Sequence, residues 1–241
     1  MSENGDDAFY VGYLPLPQRH RRFLRRLLPA MLLGACGVAL AIGAAQKDPG
    51  QGRWEQDKQI SLEGAISVNP YALLHTREGD TSRAVLLVEE GKFGAAARVA
   101  PMDGKYVKVR GTLLHRDGRN MLEIASALDA VEVVPDHEAH VPASISLGGR
   151  TLHGEVIDPK CYIGAMKPGG GKTHKACAEL CLAGGIPPML AVWEGGHEVY
   201  YLLENADGSA ANQRVSHLAG ESADLNGEVE RQGDLLVLKL K

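Results

Sequence analysis

The sequence predicts a mainly β protein: one N-terminal transmembrane helix followed by two small β-barrels, the second carrying a Cys/His-bearing helical insertion. Three observations predict it. An uncharged run, Leu27–Ala45, follows a cluster of arginines. Short alternating strands with glycines at matched places recur at an offset of 116 residues. One half is longer than the other, and its excess holds every cysteine outside the apolar run. With 44% hydrophobic but only 5% aromatic residues over 241 positions, there is material for cores, and those cores are aliphatic.

The nineteen residues Leu27–Ala45 match the length needed to cross roughly 30 Å of hydrocarbon at about 1.5 Å per residue. Arg19, Arg21, Arg22, Arg25 and Arg26 precede the run, and Lys47 and Asp48 follow it, so the positive-inside bias places the N-terminus in the cytoplasm. The chain is thus expected in an inner (plasma) membrane as a single-pass protein with its bulk periplasmic. Three alternatives stand beside a retained anchor. They are cleavage at Gly43-Ala44-Ala45, lipidation of Cys36 in Leu33-Gly34-Ala35-Cys36, and twin-arginine export through His20-Arg21-Arg22-Phe23-Leu24-Arg25. Residues 46–241 carry twenty-one basic and twenty-seven acidic side chains. That acidic balance, the scarcity of aromatics and the outer location argue against nucleic-acid binding.

The repeat pairs Arg98, Val99, Gly104 and Gly111 with Arg214, Val215, Gly220 and Gly227. Val107–Leu114 and Ala223–Glu230 read as strands with a central glycine. Each turns, through Asp117-Gly118 or Gln232-Gly233, into a second apolar strand at Asn120–Ile124 or Asp234–Leu240. Leu62–Ile66 corresponds to Leu152–Val156, Val85–Val88 to Val199–Leu202, and Ala95–Ala97 and Ala210–Val215 have helical character. This order resembles the five-stranded OB barrel. The resemblance implies OB-like domains at 53–135 and 146–241, joined by the linker Val134–Val141, after a cytoplasmic tail at 1–26 and an anchor at 27–45.

From Gly64 to Val85 is 21 positions and from Gly154 to Val199 is 45, so the second half carries about 24 extra residues, around 161–188. A barrel closes without them, and length that a fold does not require is more often for binding or regulation. Thr173 is placed to cap a helix running to Ala183 and stopped by Gly184-Gly185. On that helix His174, Cys177 and Cys181 share one face, and a Pro168–Gly171 loop folds it back onto Cys161. Cys161, His174, Cys177 and Cys181 then form a Cys3His set for zinc, copper or another metal ion, with Met166 as an added thioether for copper. Also open are a disulfide from Cys161 to Cys177 or Cys181, which leaves one thiol over, and a dithiol redox pair.

Cys177-Ala178-Glu179-Leu180-Cys181 is similar to the Cys-x-Glu-x-Cys run of the binuclear copper site in cytochrome oxidase subunit II, although Gly185 stands where that family has its following histidine. A CxxxC with a nearby histidine is also similar to copper chaperones of oxidase assembly, which have a thioredoxin fold. The chain as a whole, with its Phe9–Pro15 tract, anchor and outer Cys/His domain, resembles membrane-anchored accessory subunits of bacterial electron-transfer complexes. That resemblance implies an integral membrane or periplasmic protein partner. Scaffolding by a disulfide-stapled barrel pair and thiol oxidoreduction are the alternatives. Gly170-Gly171-Lys172-Thr173 lacks the first glycine of a phosphate loop, because position 166 is Met166, and no CxxCH occurs. No spacing supports hydrolytic chemistry, so the reading leans away from an enzyme.

Overall fold

A computed structural model describes residues 16–46, 52–79 and 81–241. Helix α1, Gln18–Ala45, has 28 residues, none of them buried. Its most apolar window has a mean hydropathy of 2.1, and it is long and apolar enough to span a membrane. The helix starts ahead of the apolar run, so the five arginines lie within it, and the stretch expected as a tail is helical from Gln18 onward. The Phe9–Pro15 tract, Lys47 and Asp48 lie outside the described residues. The helix and the remainder of the chain are separate compact units.

The remainder is mainly β. Its elements are β1 (Arg53–Ser67), β2 (Leu73–Glu78), β3 (Thr81–Val88), α2 (Ala96–Val99), β4 (Tyr106–Arg116), β5 (Arg119–Ile124) and β6 (Val131–Val133), then β7 (Ser144–Ile157), α3 (Lys175–Ala183), β8 (Met189–Glu194), β9 (His197–Asn205), α4 (Asn212–Val215), β10 (Ser222–Gln232) and β11 (Leu235–Leu240). Strands β7, β8, β9, β11 and β10 form a closed five-stranded barrel. In the first half β1, β2, β3, β5 and β4 follow the same order, β4 pairs back onto β1, and β6 is added on β4. In both halves the third and fifth strands pair in parallel, Val85 opposite Asn120 and Tyr201 opposite Leu236, while the other ring pairings are antiparallel.

From β2 onward the corresponding elements begin 116 residues apart, and this revises the expected alignment of one strand. Val85 corresponds to Tyr201, not Val199, so the connection that differs is longer than the sequence suggested. It has five residues between β1 and β2 (68–72) and thirty-one between β7 and β8 (158–188). The matched Gly111 and Gly227 have the same surroundings. A Cβ on Gly111 would run into the Glu123 carbonyl oxygen, and one on Gly227 into that of Lys239. The coiled middle strand of each ring therefore needs a residue without a side chain there.

Strand alternation sorts the core into three layers. Leu74, Leu87, Val109 and Leu122 fill the first ring, and Leu152, Leu190, Tyr201 and Leu238 fill the second. The intervening residues Leu73, Leu86, Met121, Met189, Leu202 and Val237 form a shared layer with Cys161 and Cys181. Both faces of β3 and β9 are thus buried, which explains the unbroken apolar runs at their ends. Polar contacts tie the rings together. Asp234 Oδ1 accepts from Ala84 N–H at 2.7 Å, and the Asp234 carbonyl accepts from Arg119 at 3.0 Å. Tyr71 Oη donates to the Leu203 carbonyl at 2.9 Å and accepts from Ala211 N–H at 2.8 Å.

Tyr71→Phe leaves the buried Ala211 N–H without a partner. It is expected to destabilise the folded unit by about 1–3 kcal/mol, read as a lower thermal midpoint of the full-length protein in detergent. Burial pushes the Glu204 carboxyl on β9 up to about 7 against the pull of Lys239, from an ordinary value of 4.5. The folded state then keeps a proton that the unfolded chain releases, so this residue's contribution to stability falls from about pH 4.5 to pH 7 and is level above. Glu204→Gln should remove that dependence, its gain over the parent growing across the same window in a pH series of unfolding midpoints.

Candidate metal centre

The long connection starts at Asp158, directly after β7. Its side chain is fully buried. Asp158 Oδ1 accepts the Lys160 N–H at 3.0 Å, and the Asp158 carbonyl accepts the Tyr162 N–H at 3.0 Å. Residues Cys161–Ala165 then form one π-helical turn, a wide-turn geometry that often marks functional sites. The turn holds Cys161 inward, 6% exposed. Helix α3 begins only at Lys175, with His174 at its N-cap and no side-chain cap, so Thr173 does not cap it as the sequence suggested. The helix ends as expected at Gly184-Gly185. The Ile186 N–H reaches the Cys181 carbonyl at 3.1 Å, and Gly185 takes a φ of 90°, which a glycine adopts without strain.

The four ligands read from the sequence come together as two groups, not as one tetrahedron. The Sγ atoms of Cys161, Cys177 and Cys181 lie within 4.8 Å of one another, and all three thiols are free, not paired in the disulfide that the sequence also left open. His174 falls instead with Asp158 and Cys161, whose ligand atoms also lie within 4.8 Å of one another. The reason is the late start of the helix. At the cap, His174 faces the end of β7, with Nε2 3.8 Å from Asp158 Oδ2, while Cys177 lies further along and meets the first ring. Among the described residues, neither Asp158 Oδ2 nor His174 Nε2 has a hydrogen-bond partner.

The first ring supplies a residue that sequence spacing could not show. Lys92, after β3, donates to Cys177 Sγ at 2.8 Å, to Cys181 Sγ at 3.5 Å and to the Cys177 carbonyl at 3.4 Å. Its segment is held against the helix end, where the Gly94 N–H meets the Gly184 carbonyl at 3.0 Å. A Cβ on Gly184 would run into the Lys92 carbonyl oxygen, and one on Gly94 into that of Gly185. Lys160 adds a second clamp. Its buried ammonium lies 2.5 Å from Glu123 Oε2 and donates to the carbonyls of Glu89 and Gly91 at 2.7 Å each. Above the three thiols opens a pocket of about 520 Å³, whose wall includes Trp54, Lys92, Glu123 and Met166.

Electrostatics in the cluster follow from burial and proximity. Burial pushes the Asp158 carboxyl up, but the adjoining His174 imidazole and the thiols of Cys181 and Cys161 outweigh it and hold it below the ordinary value. Cys161 and Cys181 share one interaction. Their mutual hydrogen bond, with burial and the charge of Asp158, raises Cys161, and the same bond lowers Cys181. The Cys177 sulfur raises Lys92 and keeps its ammonium charged. The three sulfurs, one imidazole and one carboxylate make a soft-to-borderline donor set of the kind that holds zinc or copper.

Asp158, Lys92 and Lys160 were not singled out from the sequence. Asp158 has a local signal, standing three residues before Cys161, whereas Lys92 and Lys160 reach the site through contacts between rings. Comparison with family models, with curated proteins and with solved structures finds no match to this chain.

Lys160→Met should strand the Glu123 carboxylate in a mostly buried position and lower stability by about 3–5 kcal/mol. The double variant Lys160→Met/Glu123→Met should recover most of that loss. A double-mutant cycle on unfolding midpoints of the full-length protein reads both effects.

Proposed function

We propose that this chain is a membrane-anchored periplasmic accessory subunit of a respiratory or redox complex, and that its second barrel holds a transition-metal ion on the thiolates of Cys161, Cys177 and Cys181. One observation carries the reading: three unbonded sulfurs from two separate segments meet within 4.8 Å at the floor of an open pocket. Thiolate ligands select Zn²⁺ or Cu⁺ over hard cations, and Met166, half exposed in the pocket wall, offers a thioether to copper. Three protein ligands leave a fourth position facing the pocket. That arrangement suits an ion that exchanges a ligand, takes part in electron transfer or is passed to a partner better than a closed structural site.

Location and ancestry belong to the same proposal. The apolar helix α1 and the arginines at its start support a single-pass anchor with the N-terminus in the cytoplasm. The shared strand order and the 116-residue offset support two OB-like barrels made by duplication, the later copy having gained the metal-binding connection. A partner protein, integral or periplasmic, is the expected recipient of electrons or metal. A second reading, thiol oxidoreduction, draws on the ammonium of Lys92 at 2.8 Å from Cys177, the least buried of the three thiols.

Metal analysis and thiol counting on the full-length protein, purified in detergent under reducing conditions, separate these readings. The metal reading expects at least one ion per chain, thiols shielded from alkylation until a chelator is added, and a fall of about tenfold or more in bound metal in Cys177→Ser. Metal-free protein whose thiols alkylate at once would favour the oxidoreductase. Metal-free protein with two thiols released only by reductant would favour a disulfide-stapled scaffold.

A further inference from the structure

We infer that the centre binds two ions, bridged by the Cys161 thiolate: an outer ion on Cys161, Cys177 and Cys181 and an inner ion on Asp158, Cys161 and His174. This rests on the metal reading above and extends it. Five ligand atoms exceed the four positions of a tetrahedral ion, and they sort into two triads whose one common member is Cys161. The inner triad is deep, with side-chain exposure of 0% for Asp158 and 5% for His174. Asp158 Oδ2 and His174 Nε2 lie 3.8 Å apart, neither with a hydrogen-bond partner among the described residues, a carboxylate and an imidazole facing one space. A buried carboxylate oxygen without a partner is costly, and a cation between these groups compensates it.

Neither lysine at the centre fills that role. The Lys92 ammonium lies at the outer triad against Cys177 and Cys181, and Lys160 is engaged by Glu123, Glu89 and Gly91. The donor types fit borderline divalent ions such as Zn²⁺ or Co²⁺, with carboxylate, imidazole and bridging thiolate at the inner position and three thiolates at the outer. The outer ion faces the pocket and the inner one does not, because Asp158 and His174 are absent from the pocket wall.

The test is a Co²⁺ titration of the reduced, metal-stripped full-length protein in detergent, followed by bound cobalt, the thiolate-to-cobalt charge-transfer band and electron paramagnetic resonance. Two ions per chain are expected, with the paramagnetic signal of the first diminishing as the second enters, because a shared thiolate couples their spins. His174→Gln and Asp158→Asn should each bind one ion, keep the charge-transfer band and lose the coupling. Should Asp158→Asn show no cooperative unfolding transition, His174→Gln carries the comparison. One ion in the parent, or two in the parent and two in His174→Gln, would overturn the bridged pair and leave the three-thiol site standing. No cobalt in the parent, with its thiols reduced, would overturn the three-thiol site and the bridged pair together.

Discussion

The centre depends on one close approach of two backbones. The segment after β3 and the end of α3 meet at Gly94 and Gly184, where no side chain fits between the strands of main chain. That contact brings Lys92 onto the sulfurs of Cys177 and Cys181 and turns a loop of the second ring into a site shared by both rings. Lys160 reinforces it from the opposite direction by fastening the π-helical turn to the carbonyls of Glu89 and Gly91. Main-chain and buried-charge contacts of this kind tolerate little displacement, because packed interiors resist shifts of even a methylene. Thiols held so firmly keep a fixed spacing, as preorganised metal ligands must.

The two rings show what the barrel needs and what it does not. Each runs through the same strands, a short helix, a 3-10 turn and a final hairpin, with glycines where neighbouring carbonyls press against the middle strand. The first closes with a five-residue link where the second has thirty-one residues. The longer link does not hang in solvent. Cys161, Ile163, Cys181 and Ile186 join the apolar layer between the rings, so the segment carrying the donors also contributes to the interface. Chemistry and packing share residues here, and for that reason the sulfurs are shielded on one side and open to the pocket on the other.

Much of this was legible in the sequence, because the repeat is carried by local signals. Glycines at fixed offsets, alternating strands and paired turns survive as pattern, and they located β4, β5, β10 and β11. The helix stop at Gly184-Gly185 was equally plain. The start was not, since Thr173 suits a cap by its side chain and yet the helix begins one residue later, with His174 at the N-cap. That shift of one residue moved His174 out of the cysteine face and into the company of Asp158. The register of β9 slipped by two for a similar reason: a strand buried on both faces has no alternation to fix it. Lys92 was invisible because it is 85 residues from Cys177 and belongs to the other ring. Asp158 passed unnoticed because a carboxylate at a strand end is ordinary until its burial is known.

X-ray absorption at the metal edge of the metal-loaded full-length protein tests the central claim most directly, since it reports the atoms bound to the ion. A thiolate centre built on Cys161, Cys177 and Cys181 predicts a first shell dominated by sulfur at about 2.3 Å. A shell of nitrogen and oxygen alone would contradict it.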